Sequence, residues 1–379
     1  MVVKVSKPEI NVREKISELD KPSGIAGQAM LVAETVAEQQ VLIGLSNRNL
    51  ILNGDFQVFQ RGTSSTSAGY QTVDRWRNAH GGLGAATQSH TEDGPSFAGH
   101  RNSYKILSTA ATGSVPAGAD PWVKYEVESR DIECLNLHLW KKELTLSFWI
   151  KTNKPGQHSI SLNSGNFSSN VFTVPYNISG TEWQKVTVTF PPPPANLPSG
   201  SVGLRLYWSL GAGSTYQQAL SDTNRWVSAG KYEVVGNTRI AGVNGAFIQI
   251  AGVQLELGKV ATPFEHRSYA EELALCQRYY KNYYFASQVQ IYNESSNADH
   301  KWLYMHFPEM RAAPGLDGTV NMIGSTNGTL GTVSTIVKQG GSSAAMSCRV
   351  TFNQTGGNSN AIYHVDGFAN GYAKLNAEL

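Results

Sequence analysis

The chain has little charge and little cysteine. Only 16% of its 379 residues are charged, and 31 basic residues nearly balance 29 acidic ones, for a net charge of +2. Without a field of one sign, the composition predicts neither a nucleic-acid partner nor binding to an anionic membrane. The cysteines Cys134, Cys276 and Cys348 are odd in number and far apart. Such spacing excludes both a disulfide framework and a CxxC metal site.

Long apolar runs are missing as well. No stretch reaches the roughly 18 consecutive apolar residues that a membrane-spanning helix needs, so we expect no membrane insertion. The N-terminus, MVVKVSKPEINVREK, lacks the apolar core of a secretory signal, and we expect synthesis in a cytoplasm without export by the usual route. The 37 glycines are nevertheless typical of a surface β protein with many turns.

Catalytic signatures are absent from the sequence too. It contains no GxSxG, HExxH, P-loop or dinucleotide fingerprint. The nine histidines are scattered, and His90 and His100 in a predicted loop fit solvated side chains better than a metal pair. Two carboxylates can still converge in space, as glycosidases require, but no pattern singles out a pair. We therefore predict that the protein is not an enzyme and needs no cofactor.

Period-2 alternation of apolar residues dominates from Asn49 to about Gly258. It is clearest in TLSFWIK, QKVTVTF, VGLRLYW and FIQIAGVQLEL. Alternation over this many segments predicts antiparallel sheets, each with one buried face, and Gly252 is predicted to be a bulge or kink. A region of this length and pattern predicts a two-sheet sandwich, most simply a jelly roll.

Residues 252–280, GVQLELGKVATPFEHRSYAEELALCQRYY, change from a strand pattern to a helix pattern. Ser268 lies three residues before Glu271, which is a capping-box spacing. The stripe predicted for this helix consists of Leu273, Cys276, Tyr280 and Tyr284. Residues 286–379 alternate again between Gly-rich turns, which predicts a second, smaller β domain.

The N-terminal region has a different pattern. Residues 1–28 are polar and interrupted by Pro and Gly, which predicts an extended arm, and residues 28–45 have helical periodicity. This helix either packs on its own domain or forms a short seam between identical chains. We favour the seam, because the helix lies beyond the β domain with little of its own chain to pack on. The seam candidates are Ala29, Val32, Val36 and Ile43.

The predicted fold is therefore mainly β and has four parts. Residues 1–48 form an arm with a short helix, and residues 49–268 form a β-sandwich, which the resemblance described next implies to be an attachment arm and a carbohydrate-binding-like domain. Residues 269–285 form a connecting helix, and residues 286–379 form the smaller C-terminal β domain.

Several stretches resemble tail fibre and receptor-binding proteins of tailed bacteriophages. NLILNGDFQVFQRG (49–62) followed by DRW (74–76) resembles the start of their sugar-binding-like jelly roll. VQLELGKVATPFEHRSYAEELALCQRYY (253–280) resembles the end of that domain and the helix after it, and FPEMRAAP (307–314) resembles a recurring strand of their C-terminal domains. SKPEINVREKISELDKPSGIAGQAML (6–31) is similar to the attachment segment of fibre proteins in aquatic phages, including those of cyanobacteria.

This resemblance implies a homotrimer in the virion, made in the host cytoplasm. Residues 1–48 would attach it to tail or baseplate proteins, and the distal β domains would face host-surface glycans. Release of the particle by lysis would also explain a surface-type composition without a secretory signal. The alternatives are a depolymerase that cuts polysaccharide, a purely structural spacer, and a cellular carbohydrate-binding module. The missing signal and the fibre-like arm count against the last.

Two aromatic residues lie on the polar side of their predicted strands. Trp149 shares its side with Ser147 and Lys151, and Tyr207 shares its side with Arg205. A flat ring on such a face can stack on a sugar, while Arg and Lys donate hydrogen bonds to hydroxyls. The alternative is that a loop or a neighbouring subunit covers the polar face and makes these rings interface core. The glycan-binding candidates, including two in the C-terminal domain, are Trp149, Arg205, Tyr207, Tyr292 and Tyr363.

Two further tryptophans, Trp76 and Trp183, are predicted to be core anchors and not site residues. The resemblance also implies a structural calcium near the first and last strands of the jelly roll, at Asp55, Gln57 and Glu256. Gln57 replaces the usual acid, and an amide is a poorer Ca²⁺ ligand than a carboxylate. We therefore predict no metal site.

Overall fold

The computed structural model describes most of the chain from residue 48 onward. The described residues are 48–134, 142–164, 170–192, 202–228, 230–284, 288–294, 297–317, 323–326, 329–352, 363–366 and 372–379. The predicted arm and the seam residues Ala29, Val32, Val36 and Ile43 lie outside them. Residues Leu50–Leu379 form one compact unit.

The first part of this unit is built from short antiparallel strands. They are β1 (Ser64–Ser65), β2 (Trp76–Ala79), β3 (Ala86–Thr91), β4 (Ser103–Ser108), β5 (Trp122–Glu128), β6 (Leu144–Thr152), β7 (Gly156–Ser164), β8 (Val171–Ile178), β9 (Gln184–Phe190), β10 (Val202–Ser209), β11 (Gln217–Gln218), β12 (Trp226–Val227), β13 (Glu233–Val234) and β14 (Phe247–Leu257). The helical elements are α1 (Ser129–Cys134) and three short 3-10 helices, Ser96–Ala98, Ser214–Tyr216 and Leu220–Asp222.

Two six-stranded sheets pack face to face. Sheet 1 has the order β1-β3-β4-β14-β6-β9, and sheet 2 has the order β12-β8-β7-β10-β5-β2. Trp76 lies at the centre of the core between them, with ring centroids 4.9 Å from Phe56, 5.0 Å from Tyr125 and 5.4 Å from Trp208. The arrangement confirms the predicted mainly β fold with a jelly-roll sandwich, and it confirms Trp76 as a core anchor.

Gly252 is the predicted irregularity in β14. The pairing of β14 with β6 shifts register between Ala251 and Gln254, and Gly252 has a left-handed φ of 54°. A Cβ atom here would lie 2.4 Å from the ring of His100. Only glycine fits both the backbone conformation and this close approach.

The connecting helix is shorter than its sequence stripe predicts. Helix α2 (Tyr269–Gln277) begins at the N-cap Ser268, whose Oγ accepts a hydrogen bond from the Glu271 amide at 3.2 Å. The stripe is wrong beyond Cys276, because Tyr280 starts a strand that runs to Tyr284. Residues Tyr280–Tyr284 pair with the strand Tyr372–Asn376, and the guanidinium of Arg61 lies 3.5 Å from the centroid of the Tyr280 ring. Tertiary contacts here override helical periodicity.

The strands after α2 form a small sheet and a barrel. They are β15 (Tyr280–Tyr284), β16 (Gln288–Glu294), β17 (Asn297–His306), β18 (Gly315–Asp317), β19 (Ile323–Thr326), β20 (Thr329–Gly341), β21 (Ala345–Phe352), β22 (Tyr363–Asp366) and β23 (Tyr372–Asn376). The junction sheet has the order β15-β23-β18, and the other six strands close into a barrel, β16-β17-β21-β20-β19-β22. The chain therefore passes between the junction sheet and the barrel four times. The boundaries predicted for the four parts stay a prediction.

The FPEMRAAP segment is not a strand, which corrects the expectation from its resemblance. It lies between β17 and β18, with Phe307 and Met310 buried. Arg311 donates from Nε to the carbonyl of Ala377 at 2.8 Å and from Nη2 to the carbonyl of Glu378 at 2.9 Å. The segment therefore fastens the last residues of the chain.

The junction sheet joins the sandwich at one end. Tyr279, just before β15, donates its hydroxyl to Glu128 at the end of β5, at 2.9 Å. The backbone of Leu50 donates to the carbonyl of Leu255, near the end of β14, at 2.9 Å. Both chain connections of the sandwich are therefore at the same end, and the opposite end consists of loops. We call these the junction end and the loop end.

Candidate functional site

The outer face of sheet 1 carries Trp149. On β6, Phe148 and Ile150 point into the core, and Trp149 between them is half-buried on the outside. Its cross-strand neighbours are Lys185 on β9 and Ala251 on β14. Ala251 is small and β9 is the last strand of the sheet, so the Trp149 ring is not enclosed by large neighbours on these two sides.

A second aromatic ring, Phe97, lies against Trp149. It comes from the 3-10 helix Ser96–Ala98 between β3 and β4, which Gly99 terminates with a φ of 86°. The ring centroids are 5.2 Å apart and the rings are nearly perpendicular, at 88°. Phe97 is 74% exposed. Single exposed apolar side chains are common, but here the exposed ring forms a corner with the half-buried indole, at a right angle to it.

Charged and hydrogen-bonding groups border this corner. Lys151 Nζ lies 3.0 Å from Asp93 Oδ2 and 5.9 Å from the centroid of Trp183. Lys185 is exposed. Trp183 is half-buried beside Lys151 and is not part of the core, which corrects its prediction as a core anchor. We call the surface formed by Phe97, Trp149, Lys151, Trp183 and Lys185 the aromatic face.

The segment that carries Phe97 is held firmly. The amide of Gly94 donates to the carbonyl of Arg101 at 3.0 Å, which closes the base of the loop. Beneath it, the buried Gln249 donates from Nε2 to Ser103 Oγ at 3.2 Å and to Thr91 Oγ1 at 3.3 Å. A ring held by such a frame loses little conformational freedom when it binds a ligand.

Sheet 2 presents a different outer face, because a loop covers it. Tyr207 is only 5% exposed and packs in a cluster with Trp122, Ala212 and Tyr232. The Tyr232 ring is stacked on it, with centroids 5.3 Å apart and an angle of 25°. This burial corrects the interpretation of Tyr207 as an open binding position, and the alternative of a covering loop describes it instead.

Arg205 belongs to an ion network on the same face. Its Nε lies 2.9 Å from Glu126 Oε1, and Lys124 Nζ lies 2.8 Å from the same oxygen. Burial acts to raise the pKa of Glu126, but Lys124 and Arg205 lower it more, so the pKa lies below its usual value. Burial lowers the pKa of Lys124, and Glu126 offsets part of that effect. The charge on Arg205 therefore stabilises the carboxylate of Glu126 within the fold.

Tyr292 and Tyr363 lie on barrel strands β16 and β22. Tyr363 is opposite Ile291 in the antiparallel pair β16–β22, and Tyr292 is opposite Trp302 in the pair β16–β17. The side chains of both tyrosines lie outside the described part of the structure, so their candidacy stays a prediction. Trp149 and the Arg205–Tyr207 pair lie on the outer faces of different sheets and form no common site.

The positions considered for calcium have protein partners. Asp55 Oδ1 lies 2.6 Å from Nδ1 of the buried His100, and Gln57 donates to the carbonyl of Arg267 at 3.3 Å. Glu256 accepts from the amide of Thr262 at 2.8 Å and from its hydroxyl at 2.6 Å. Among the described residues, no group of three or more His, Cys, Asp or Glu side chains could hold a metal ion. None of the helices in the described part is long and apolar enough to cross a membrane.

Phe97 is the residue that the sequence analysis missed. It is a lone aromatic in GPSFAGH, between turn-forming residues. Its exposure was predictable from that setting, because a residue at a loop tip faces solvent. Its contact with Trp149 was not, since the two lie on different connections of the chain.

Comparisons with known proteins find no matching family model and no matching curated protein. Solved structures match the sandwich with low similarity. The CBM22-1 xylan-binding domain of Paenibacillus barcinonensis Xyn10C is 10% identical with a TM-score of 0.26, covering 52% of this chain and 94% of that domain. TmCBM61 in complex with β-1,4-galactotriose is 12% identical with a TM-score of 0.24, covering 56% of this chain and all of that one. A cyclase from Fischerella sp. TAU is 12% identical with a TM-score of 0.32, covering 56% and 98%.

At TM-scores of 0.24 to 0.32, these similarities carry no argument about function. They include binding domains and an enzyme alike, which is expected when one fold serves many activities. The geometry of this chain must therefore support any functional proposal.

Proposed function

We propose that this protein is an adhesion protein that binds surface glycans through the aromatic face, without cleaving them. The observation that carries the proposal is the perpendicular pair of Phe97 and Trp149, with an exposed ring on a firmly held loop. A sugar ring has one apolar side and a rim of hydroxyls. The indole of Trp149 can stack on the apolar side, and the ammonium groups of Lys151 and Lys185 can donate to the rim.

The strength of one such site is modest. Stacking on one aromatic ring contributes about 1 kcal/mol, which is roughly a fivefold change in affinity. Several copies of the site acting on a repetitive glycan raise the apparent affinity by a factor of about a hundred or more. Multivalent presentation therefore matters more than any single contact.

We further propose that the chain is a tail fibre protein of a tailed phage, a homotrimer attached by residues 1–48 to the tail or baseplate. The support is the sequence resemblance of residues 6–31 and 253–280. Deletion of residues 1–28 should leave folded, soluble oligomers that no longer join particles. Truncated protein in purified virions would contradict this attachment.

The glycan proposal is tested with the full chain on a glycan array, followed by biolayer interferometry on the polysaccharides that bind. Trp149→Ala and Phe97→Ala should each weaken binding about fivefold per site, and more in an oligomer. Tyr269→Ala is a matched control, because Tyr269 is a 57% exposed aromatic on α2, outside the aromatic face. Equal loss in all three variants, or in none, would refute the site.

The same polysaccharides also test whether the protein cleaves them. Incubation with the full chain, followed by an assay for new reducing ends, should give no increase. A steady increase would make the chain a depolymerase. A chain that binds no glycan at all would be a structural spacer.

A further inference from the structure

The loop end of the sandwich contains a cavity that is separate from the aromatic face. It has a volume of about 350 Å³. The strand β5 runs from Trp122 at the loop end to Glu128 at the junction end, seven residues or roughly 20 Å. The cavity is therefore at the end of the sandwich that both chain connections leave free.

The lining of the cavity combines apolar, uncharged polar and charged groups. Val115, Ala117 and Ala212 supply an apolar patch, and Ser214 and Gln217 supply hydrogen-bonding groups. Asn237 and Arg239 complete the polar side. The Oδ1 atom of Asn237 accepts from Ser159 Oγ at 2.7 Å, while its Nδ2 has no hydrogen-bond partner among the described residues. A buried amide donor without a partner is costly.

The acidic residue in the lining, Glu233, is already used by the fold. Its Oε2 accepts from the hydroxyl of Ser209 and from the amides of Gly211 and Ala212, the amides at 3.1 and 2.6 Å. Its Oε1 accepts from Gln217 Nε2 at 3.1 Å. These bonds leave little capacity for a cationic ligand, so the carboxylate shapes the wall of the cavity without selecting for positive charge.

The loops around the cavity are fixed before any ligand arrives. Arg239 Nη2 donates to the carbonyl of Gly242 in its own loop and to that of Thr112, which ties two loop segments together. A Cβ atom on Gly213 would lie 2.1 Å from the carbonyl oxygen of Pro116, so two loops touch through their backbones. Preformed cavities lose little free energy to ordering when they bind.

We propose that this cavity binds one neutral sugar unit, at the end or on a branch of a glycan. Its volume is near the lower limit of ligand pockets, which begin at about 300 Å³, and suits one sugar ring. The apolar patch fits the apolar side of a pyranose, and the Ser214 hydroxyl and the Arg239 guanidinium fit its hydroxyls. The choice of a sugar rests on the proposed glycan binding, but the site does not include any residue of the aromatic face.

The test is saturation-transfer NMR on the full chain with glucose, galactose, mannose and N-acetylglucosamine, with glycerol as a reference. At least one sugar should give a signal that glycerol does not. Ala117→Phe and Ser214→Phe should each abolish it by filling the cavity, since both residues are exposed in the free protein. Ala111→Phe, an exposed alanine outside the lining, is the matched control and should keep the signal.

Trp149→Ala separates this inference from the proposed function. It should keep the monosaccharide signal while weakening polysaccharide binding. A signal lost in Trp149→Ala but kept in Ala117→Phe and Ser214→Phe would place the sugar on the aromatic face and overturn the inference. Polysaccharide binding without any monosaccharide signal would also overturn it and leave the proposed function standing. No binding of either kind would refute both.

Discussion

The carboxylate of Glu378 pairs with the buried guanidinium of Arg75, 303 residues earlier in the chain. The same carboxylate lies 3.2 Å from Arg61, and Arg75 lies 3.6 Å from the ring centroid of Tyr279. Arg75 also has a left-handed φ of 71°, a conformation that a non-glycine residue holds only when its surroundings stabilise it. This buried network fastens the junction sheet to the sandwich.

Replacing Glu378 should therefore weaken the junction strongly. Glu378→Gln leaves two buried arginines without their shared carboxylate, and breaking a buried pair costs about 3–5 kcal/mol. The free energy of unfolding in urea measures the loss. Arg101→Ala is the control, because its pair with Glu92 is exposed and contributes less than about 1 kcal/mol. Equal effects of the two substitutions would show that the junction does not depend on this charge.

Gly252→Ala should destabilise the sandwich more than an alanine at an open glycine. The left-handed backbone alone costs an alanine about 1–2 kcal/mol, and at Gly252 the ring of His100 must also move. Gly245→Ala isolates the backbone cost, because Gly245 has a φ of 78° and no atom within 4 Å of the added Cβ. Urea unfolding should give a larger loss for Gly252→Ala. If both substitutions lower the free energy of unfolding equally, the ring of His100 moves away from the added methyl group without a measurable cost.

Asp74 should make stability depend on pH. Burial raises its pKa from 3.8 to about 6, although Arg61 and Gln60 partly offset the effect. Because the pKa of Asp74 is higher in the folded chain than in the unfolded chain, the protonated carboxyl stabilises the fold. This contribution is complete at a pH below the unfolded pKa of 3.8 and is lost as the pH rises through about 6. The melting temperature should therefore fall less between pH 5 and pH 7 in Asp74→Asn than in the unchanged chain. Parallel pH profiles would contradict the assignment.

Other buried carboxyls with raised pKa values, such as Glu233 and Glu272, titrate in both proteins. The comparison therefore depends on the difference between the two profiles and not on either profile alone. Asparagine keeps the size of the side chain, and its one oxygen can replace one of the two Asp74 oxygens that accept from Gln60 and Arg61.

The predicted seam can be tested by light scattering. Val32→Asp together with Val36→Asp should convert a trimer into monomers, because each change places a carboxylate beside its copies from the other chains. Val41→Asp is the matched control, since Val41 lies on the opposite side of the helical repeat from this stripe. A single-chain mass for the unchanged protein at micromolar concentration would refute the trimer, and dissociation by Val41→Asp would refute the seam.

Local periodicity predicted the sandwich, because the buried side chains of each strand alternate with exposed ones in the sequence of that strand. Leu146, Phe148 and Ile150 alternate in the sequence and all lie in the core. The same reasoning placed Trp149 and Tyr207 outside their sheets, and both do point outward. Only Trp149 remains accessible. Tyr232 covers Tyr207. The position of Tyr232 depends on the path of a long loop, which the alternation of apolar residues in a strand does not predict.

The end of the helix at Gln277 and the contact of Phe97 with Trp149 share this cause. Tyr280 continues the helical spacing, yet it pairs in a strand with Asn376, almost a hundred positions later, and its ring contacts Arg61, over two hundred positions earlier. Phe97 is one residue in a turn, and only the packing of β4 beside β14 brings its loop to β6. Contacts between distant segments of the chain determine both features, and the local pattern of the sequence does not show which segments come into contact.

The four passages of the chain between the junction sheet and the barrel have a mechanical consequence. A force that pulls the barrel from the sandwich is divided among four covalent connections that end in one small sheet. Cleavage of one connection by a protease leaves three, so the barrel stays tethered. A domain joined by a single linker would be lost at the first cut. The barrel is therefore held more securely than a domain on one linker.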